Sequence, residues 1–256
     1  MSVPVISTAR FVLADSREAA DLGAFLSRLL RFDRAAAVRL QLVADEAGGP
    51  GVLAVYGRLP LGAAGVLALR TTRLAAAEPL PGAPETEPLP GATETGALPG
   101  TTDLTVSAGQ LLEGVDEAGA ALAVPPPVTG PAWAGLLPPR RGWQQLGEVG
   151  AGLVVPQVMA AVAEFKERTA QVPEHHRTRE VLDRLADEIW SRPLGALPAL
   201  PLRAAHAAYR IGFLHPDARL TAHRAGSWLR LTAPHGTVAL RATAAPGAGL
   251  GLTPLR

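Results

Sequence analysis

The chain has 256 residues, 48% of them hydrophobic, with 24 basic and 23 acidic side chains for a net charge of +1, and it contains no cysteine. That is enough apolar material for one large or two small packed domains, and it excludes disulfides, thiolate nucleophiles and cysteine-held zinc. No apolar run approaches the ~18 residues of a membrane helix and the first residues do not read as a leader peptide, so the sequence predicts a cytoplasmic protein that engages no membrane.

The charge is unevenly spread. Residues 74–139 hold eight acids and no Lys or Arg, whereas from Arg203 onward seven arginines face a single acid, Asp217. Such polarity can steer an anionic partner to one end of the molecule. The only lysine is Lys166; with the many Ala, Gly and Pro, this points to a GC-rich bacterial genome, so arginine usage alone is no sign of phosphate recognition.

Residues 3–13 are apolar and β-branched, as in a strand, and Asp15 with Glu18 forms a capping-box arrangement that starts a helix. Ala19, Leu22, Phe25, Leu26, Leu29 and Leu30 recur at helical spacing and predict its buried stripe, leaving Arg17, Asp21, Arg28 and Arg31 in water. Three strand-like runs follow at 36–44, 52–58 and 65–73, separated by turn glycines and prolines. The first unit is therefore strand, helix and three-stranded meander over residues 1–73.

Residues 80–100 repeat Leu-Pro-Gly every nine residues with Glu and Thr between, a composition that sustains neither helix nor ladder and predicts a flexible linker over 74–102. Residues 103–107 read as a strand and 107–115 as a short helix capped by Ser107. A further short strand fits 120–124. Residues 130–149 carry Trp133, Trp143 and Arg140-Arg141 among Pro and Gly, an ordered loop pinned by its indoles. Helices are expected from Pro156 as first helical residue to about Thr169, from Thr178 to Trp190, and from Pro201 to about 214. The chain closes on strands at 219–224, 227–232 and 237–241. Alternation places Leu220, Ala222, Leu229, Leu231, Val238 and Leu240 on one face of this meander and Arg219, Trp228, Arg230 and Arg241 on the other. The second unit thus spans 103–256, with a helical insertion at about 145–214.

The two meanders align: Ala37-Val38-Arg39-Leu40-Gln41 with Asp217-Ala218-Arg219-Leu220-Thr221, Val52 to Val55 with Trp228 to Leu231, and Gly65 to Arg70 with Gly236 to Arg241. Both end in Ala-Leu-Arg, which predicts an internal repeat and an α+β fold. A strand-helix-three-strand unit used twice resembles one domain of a DNA sliding clamp, the processivity-factor fold. The likeness rests on the strand and helix at 103–112 and on the closing meander. It implies that the helices face DNA, which nominates Arg17, Arg28 and Arg31, and that the protein is a non-enzymatic binding or scaffold component of DNA metabolism. Against the family pattern, a working clamp needs six such domains and joins its halves through short connections.

The residues themselves advertise little chemistry. Glu174-His175-His176 has no third ligand at a metal-binding spacing, the other histidines lack a neighbouring carboxylate apart from Asp217, and no phosphate loop or nucleophile elbow is present. No catalytic residue, metal or cofactor is assigned. Arg219, Trp228, Arg230 and Arg241 form the second nucleic-acid candidate, since arginine pairs with phosphate and an indole stacks on a base. The expected partners are DNA and other proteins, with self-association left open. The competing readings are a protein-interaction module that binds no nucleic acid, a winged-helix domain built from the three late helices, and an enzyme whose site the sequence does not show.

Overall fold

A computed structural model of the chain describes residues 10–43, 51–63, 65–75 and 103–242. Of the linker predicted at 74–102, residues 76–102 lie outside the described residues, as does the start of the predicted opening strand, while Leu74 pairs with Leu13. In chain order the elements are β1 (Arg10–Val12), α1 (Ser16–Leu30), β2 (Ala37–Val43), β3 (Val52–Leu59), β4 (Val66–Arg73), β5 (Asp103–Ser107), α2 (Ala108–Glu113), β6 (Val115–Asp116), β7 (Ala121–Ala123), β8 (Gln144–Gly150), α3 (Ala151–Gln171), α4 (Arg179–Trp190), β9 (Pro193–Leu194), β10 (Leu197–Pro201), α5 (Leu202–Arg210), β11 (Arg219–Ala225), β12 (Trp228–Ala233) and β13 (Gly236–Arg241). The protein is α+β.

Eight strands form one antiparallel sheet in the order β5-β2-β3-β4-β13-β12-β11-β8. The two predicted meanders meet edge to edge at its centre, where Ala68 of β4 opposes Val238 of β13 and Leu67 opposes Ala239. Both Ala68 and Val238 are fully buried. Helices α1 and α5 cover one face of the sheet, packing on β3, β4, β12 and β13. The core lies between: Leu22, Phe25, Leu26 and Leu29 of α1 and Ala204, Ala205 and Ala208 of α5 pack against Val38, Leu40, Val55, Leu220, Leu229 and Leu231 of the strands. This is the stripe that helical and strand periodicity demand, with α1 capped by Asp15, whose carboxylate accepts the Glu18 N–H at 2.9 Å.

The other face of the sheet is crossed by the connection at 124–143, which leaves the small β1-β7-β6 sheet and runs to β8 on the far edge. It is anchored at its start by the Val128 N–H donating to Thr105 O at 2.8 Å. Beneath it lie Ala54, Tyr56, Leu67 and Ala239, each under 8% exposed. The centre of this face is therefore apolar and covered, and only its flanks are wet.

Four elements depart from the sequence reading. Residues 144–150 are a strand, β8, rather than loop; as an edge strand it has one neighbour, β11, and Gln144 to Gly150 show no apolar alternation. Strand β5 joins the first meander through β2, and α2 packs on α1, so this pair extends the first unit instead of opening the second. Helix α3 begins at Ala151, with Pro156 inside it, because Ala151, Val154 and Val158 are buried; packing overrides the preference of proline for a first helical position. The proline-rich gap before α5 holds the β9-β10 hairpin.

Candidate functional site

The seven sequence-nominated residues fall on opposite sides of the sheet and do not form one site. Arg17, Arg28 and Arg31 belong to the helical side. Arg17 is exposed in the first turn of α1, and Arg28 and Arg31 lie at its last turn and cap. There α1 meets the C-terminus of α5, with Phe25 stacked on Phe213 at 5.9 Å between centroids. Each helix sends an arginine across the end of the other. The Arg28 guanidinium occupies the space over Gly212, where a Cβ would fall 2.6 Å from its Cζ; Gly212 itself adopts φ +82, the left-handed region that glycine enters at little cost. Arg210 returns the contact with its Cζ 5.0 Å from the Phe32 ring centroid. Among the described residues none of Arg17, Arg28, Arg31 and Arg210 has a carboxylate within ion-pair reach. The result is a cationic corner built from two helix ends.

The open side is different, because most of its cations are already matched. Arg219 is ion-paired to Glu148 on the neighbouring edge strand. On the first meander Arg39 holds Asp103 at 2.6 Å, and this guanidinium keeps the Asp103 carboxyl below its usual range. In both halves the arginine sits two residues before the position that faces the acid, since Gln41 opposes Asp103 and Thr221 opposes Glu148. Arg230 lies over Trp143, its Cζ 4.2 Å from the ring centroid, and burial pushes its pKa down. Its Nε has no hydrogen-bond partner. Arg241 rests over Trp228 at 5.4 Å. Arg219 is thus an exposed side chain matched by Glu148, and Arg230 is a half-buried one lying over Trp143.

The shared Ala-Leu-Arg ending divides the same way. Arg70 of β4 turns to the helical side, where it pairs with Asp21 at 2.7 Å and donates to His235 O at 2.8 Å, whereas Arg241 of β13 turns to the open side. A one-residue offset in a strand exchanges faces, so these two arginines lie on opposite sides of the sheet, whereas Arg39 and Arg219 each pair with an acid of the adjacent strand.

Chemically reactive groupings are sparse among the described residues. A cleft of about 750 Å³ runs between the β3-β4 turn, α4 and α5, but its carboxylates are occupied: Asp187 by Arg203 at 2.5 Å, Glu180 by Arg184 at 3.2 Å and Asp183 by Arg179 at 3.6 Å. His206 lines the cleft and is stacked on Trp190 at 3.9 Å with no carboxylate to orient it. His175 and His176 stand exposed in a short turn, and no group of three or more His, Asp and Glu converges on a metal position among the described residues. No helix is long and apolar enough to cross a membrane among the described residues.

Residues 6–135, just over half of the chain, match the domain of unknown function DUF8010. The chain belongs to the DUF8010 family. Residues 138–245 are similar to a second domain of unknown function, DUF8185. No curated protein matches the chain. The junction between the DUF8010 and DUF8185 regions falls inside the connection that crosses the open face. The helical corner spans it, taking Arg28 and Arg31 from the DUF8010 region and Arg210 from the other, and the sheet is continuous across it through β4 and β13. Arg210 carries no sequence signal beyond an exposed helical position, because its partner Phe32 lies far away in the chain.

Proposed function

We propose that the protein is a non-enzymatic binding or scaffold component of DNA metabolism with a clamp-like duplicated core, and that it meets the nucleic-acid backbone through its helical side. The observation that carries this reading is the corner to which α1 brings Arg28 and Arg31 and α5 brings Arg210, none of them ion-paired among the described residues. Unpaired arginines beside one another favour phosphate, while the arginines of the open side are neutralised by Asp103 and Glu148 or stacked on indoles. The resemblance to a clamp domain is supported by one eight-stranded sheet made of two meanders with helices on a single face. Arg17 extends the cationic line about 16 Å along α1, at 1.5 Å per residue.

The test is fluorescence anisotropy with a labelled duplex at low salt. Arg28→Glu, Arg31→Glu and Arg210→Glu together should weaken binding at least tenfold, and Arg219→Ala should leave it unchanged. Because Arg28 and Arg210 also pack on the fold, Arg17→Glu with Arg31→Glu, both exposed, serves as the second variant and should weaken binding in the same direction. Undiminished affinity in both variants contradicts the assignment.

A further inference from the structure

On the open side, a groove of about 450 Å³ lies between the 3₁₀ turn Ala132–Gly135 and the seam of the sheet. Its walls are Trp133 and Trp228, its floor includes Leu67 and its rim Leu136, Arg58 and Arg241. Leu136 is 57% exposed, an apolar side chain standing in water at the mouth of an apolar groove. Among the described residues Arg58 donates to the Ala63 carbonyl at 3.3 Å, and its buried Nε has no partner. Arg241 rests on Trp228 and makes no ion pair among the described residues. The floor crosses four strands, since Arg58 opposes Leu67, Leu67 opposes Ala239 and Trp228 opposes Arg241. It therefore exists only where the two family regions are joined.

We propose that this groove binds an extended, acidic, proline-containing peptide of a partner protein. Two indoles set across an apolar floor offer flat faces for pyrrolidine rings, and a polyproline II segment brings its conformation preformed, so little ordering entropy opposes docking. The two arginines at the rim make no ion pair among the described residues and supply charge complementarity to Asp or Glu flanking the prolines. The same features disfavour a nucleic acid. Only Arg58 and Arg241 border the groove as cations, and the neighbouring Arg39 and Arg219 are paired with acids. Phosphates in succession would find no track. This site is independent of the helical corner and stands whether or not DNA binds there.

The experiment is a titration of the full chain with a fluorescein-labelled peptide of about a dozen residues composed of Glu, Leu and Pro. Saturable binding is expected, weakened at least tenfold by Arg58→Glu with Arg241→Glu and by Trp133→Ala, as for the loss of an anchoring aromatic or arginine. Two altered peptides keep the test independent of how the variants fold: replacing Pro by Ala should weaken binding to the unaltered chain at least tenfold, and replacing Glu by Lys should abolish it. Absence of saturable binding to the full chain overturns the proposal, as does equal affinity for the Lys peptide. Binding that emerges only after residues 76–102 are replaced by Gly and Ser would assign the groove to the chain's own acidic segment and refute a partner. Tighter binding of a single-stranded oligonucleotide, with the same sensitivity to Arg58 and Arg241, would refute a peptide.

Discussion

His206 is buried against Trp190, with its Nδ1 lacking any hydrogen-bond partner. Burial first, then Arg210 and Arg203, push its pKa down to about 4. In the unfolded chain an imidazole titrates near 6.5, so as pH falls the unfolded state takes up the proton first. The stability tied to this residue is complete above about pH 6.5 and is withdrawn between there and about pH 4, to a limit on the order of 3 kcal/mol. His206→Phe keeps an aromatic ring on Trp190 and removes the proton. The urea midpoint of the wild type should therefore fall more steeply than that of the variant across this window; parallel profiles would contradict the assignment. Arg70 is 9% exposed and bonded to Asp21 and His235, with Glu18 at 3.6 Å. Arg70→Leu leaves Glu18 buried with only Arg73 for company and should cost about 3–5 kcal/mol in chemical denaturation. Neither environment is legible in sequence, because the decisive partners lie on other elements, about fifty residues from Arg70 in the case of Asp21.

The elements themselves were largely legible where one face is buried. Asp15 with Glu18, and Ser107 with Gln110, mark the starts of α1 and α2 through short-range hydrogen bonds that depend on nothing distant. The alternation of Leu220, Ala222, Leu229 and Leu231 fixes which side of β11 and β12 meets the core. What escaped was set by tertiary neighbours: β8 is a strand because β11 offers its edge, and the open face is apolar at its centre because residues 124–143 lie across it. Trp143 holds that crossing, stacked on Arg230 and donating its Nε1–H to Pro139 O at 2.8 Å. Trp143→Ala should release it, and trypsin should then cut after Arg140 or Arg141 several times faster than in the wild type, as followed by mass spectrometry. An unchanged cleavage rate would show that the crossing is held elsewhere.

At the scale of the whole molecule, the central seam makes the two family regions one folding unit. Leu67, Ala68 and Leu69 pair with Thr237, Val238 and Ala239, and α5 packs on β4 as well as on β12 and β13. Three of the four tryptophans, Trp143, Trp190 and Trp228, lie in the DUF8185 region. A cavity made in the other half by Leu22→Ala, at a fully buried position, should cost about 2–5 kcal/mol and shift the single transition that those indoles report. Two separate transitions, with the tryptophan signal unmoved, would mean that the halves unfold independently. The two meanders are legible in the alternation of their strands, whereas their meeting at β4 and β13, and the cationic corner of Arg28, Arg31 and Arg210, arise only in the folded chain. That corner is also where the functional account is most exposed to test. The direct measurement is duplex-DNA affinity across a salt series. Three phosphates neutralised by Arg28, Arg31 and Arg210 predict a slope of log K against log salt of about −2.7, reduced by about 0.9 for each of these arginines changed to alanine. A flat, weak response at low salt, or a slope indifferent to all three substitutions, would contradict it.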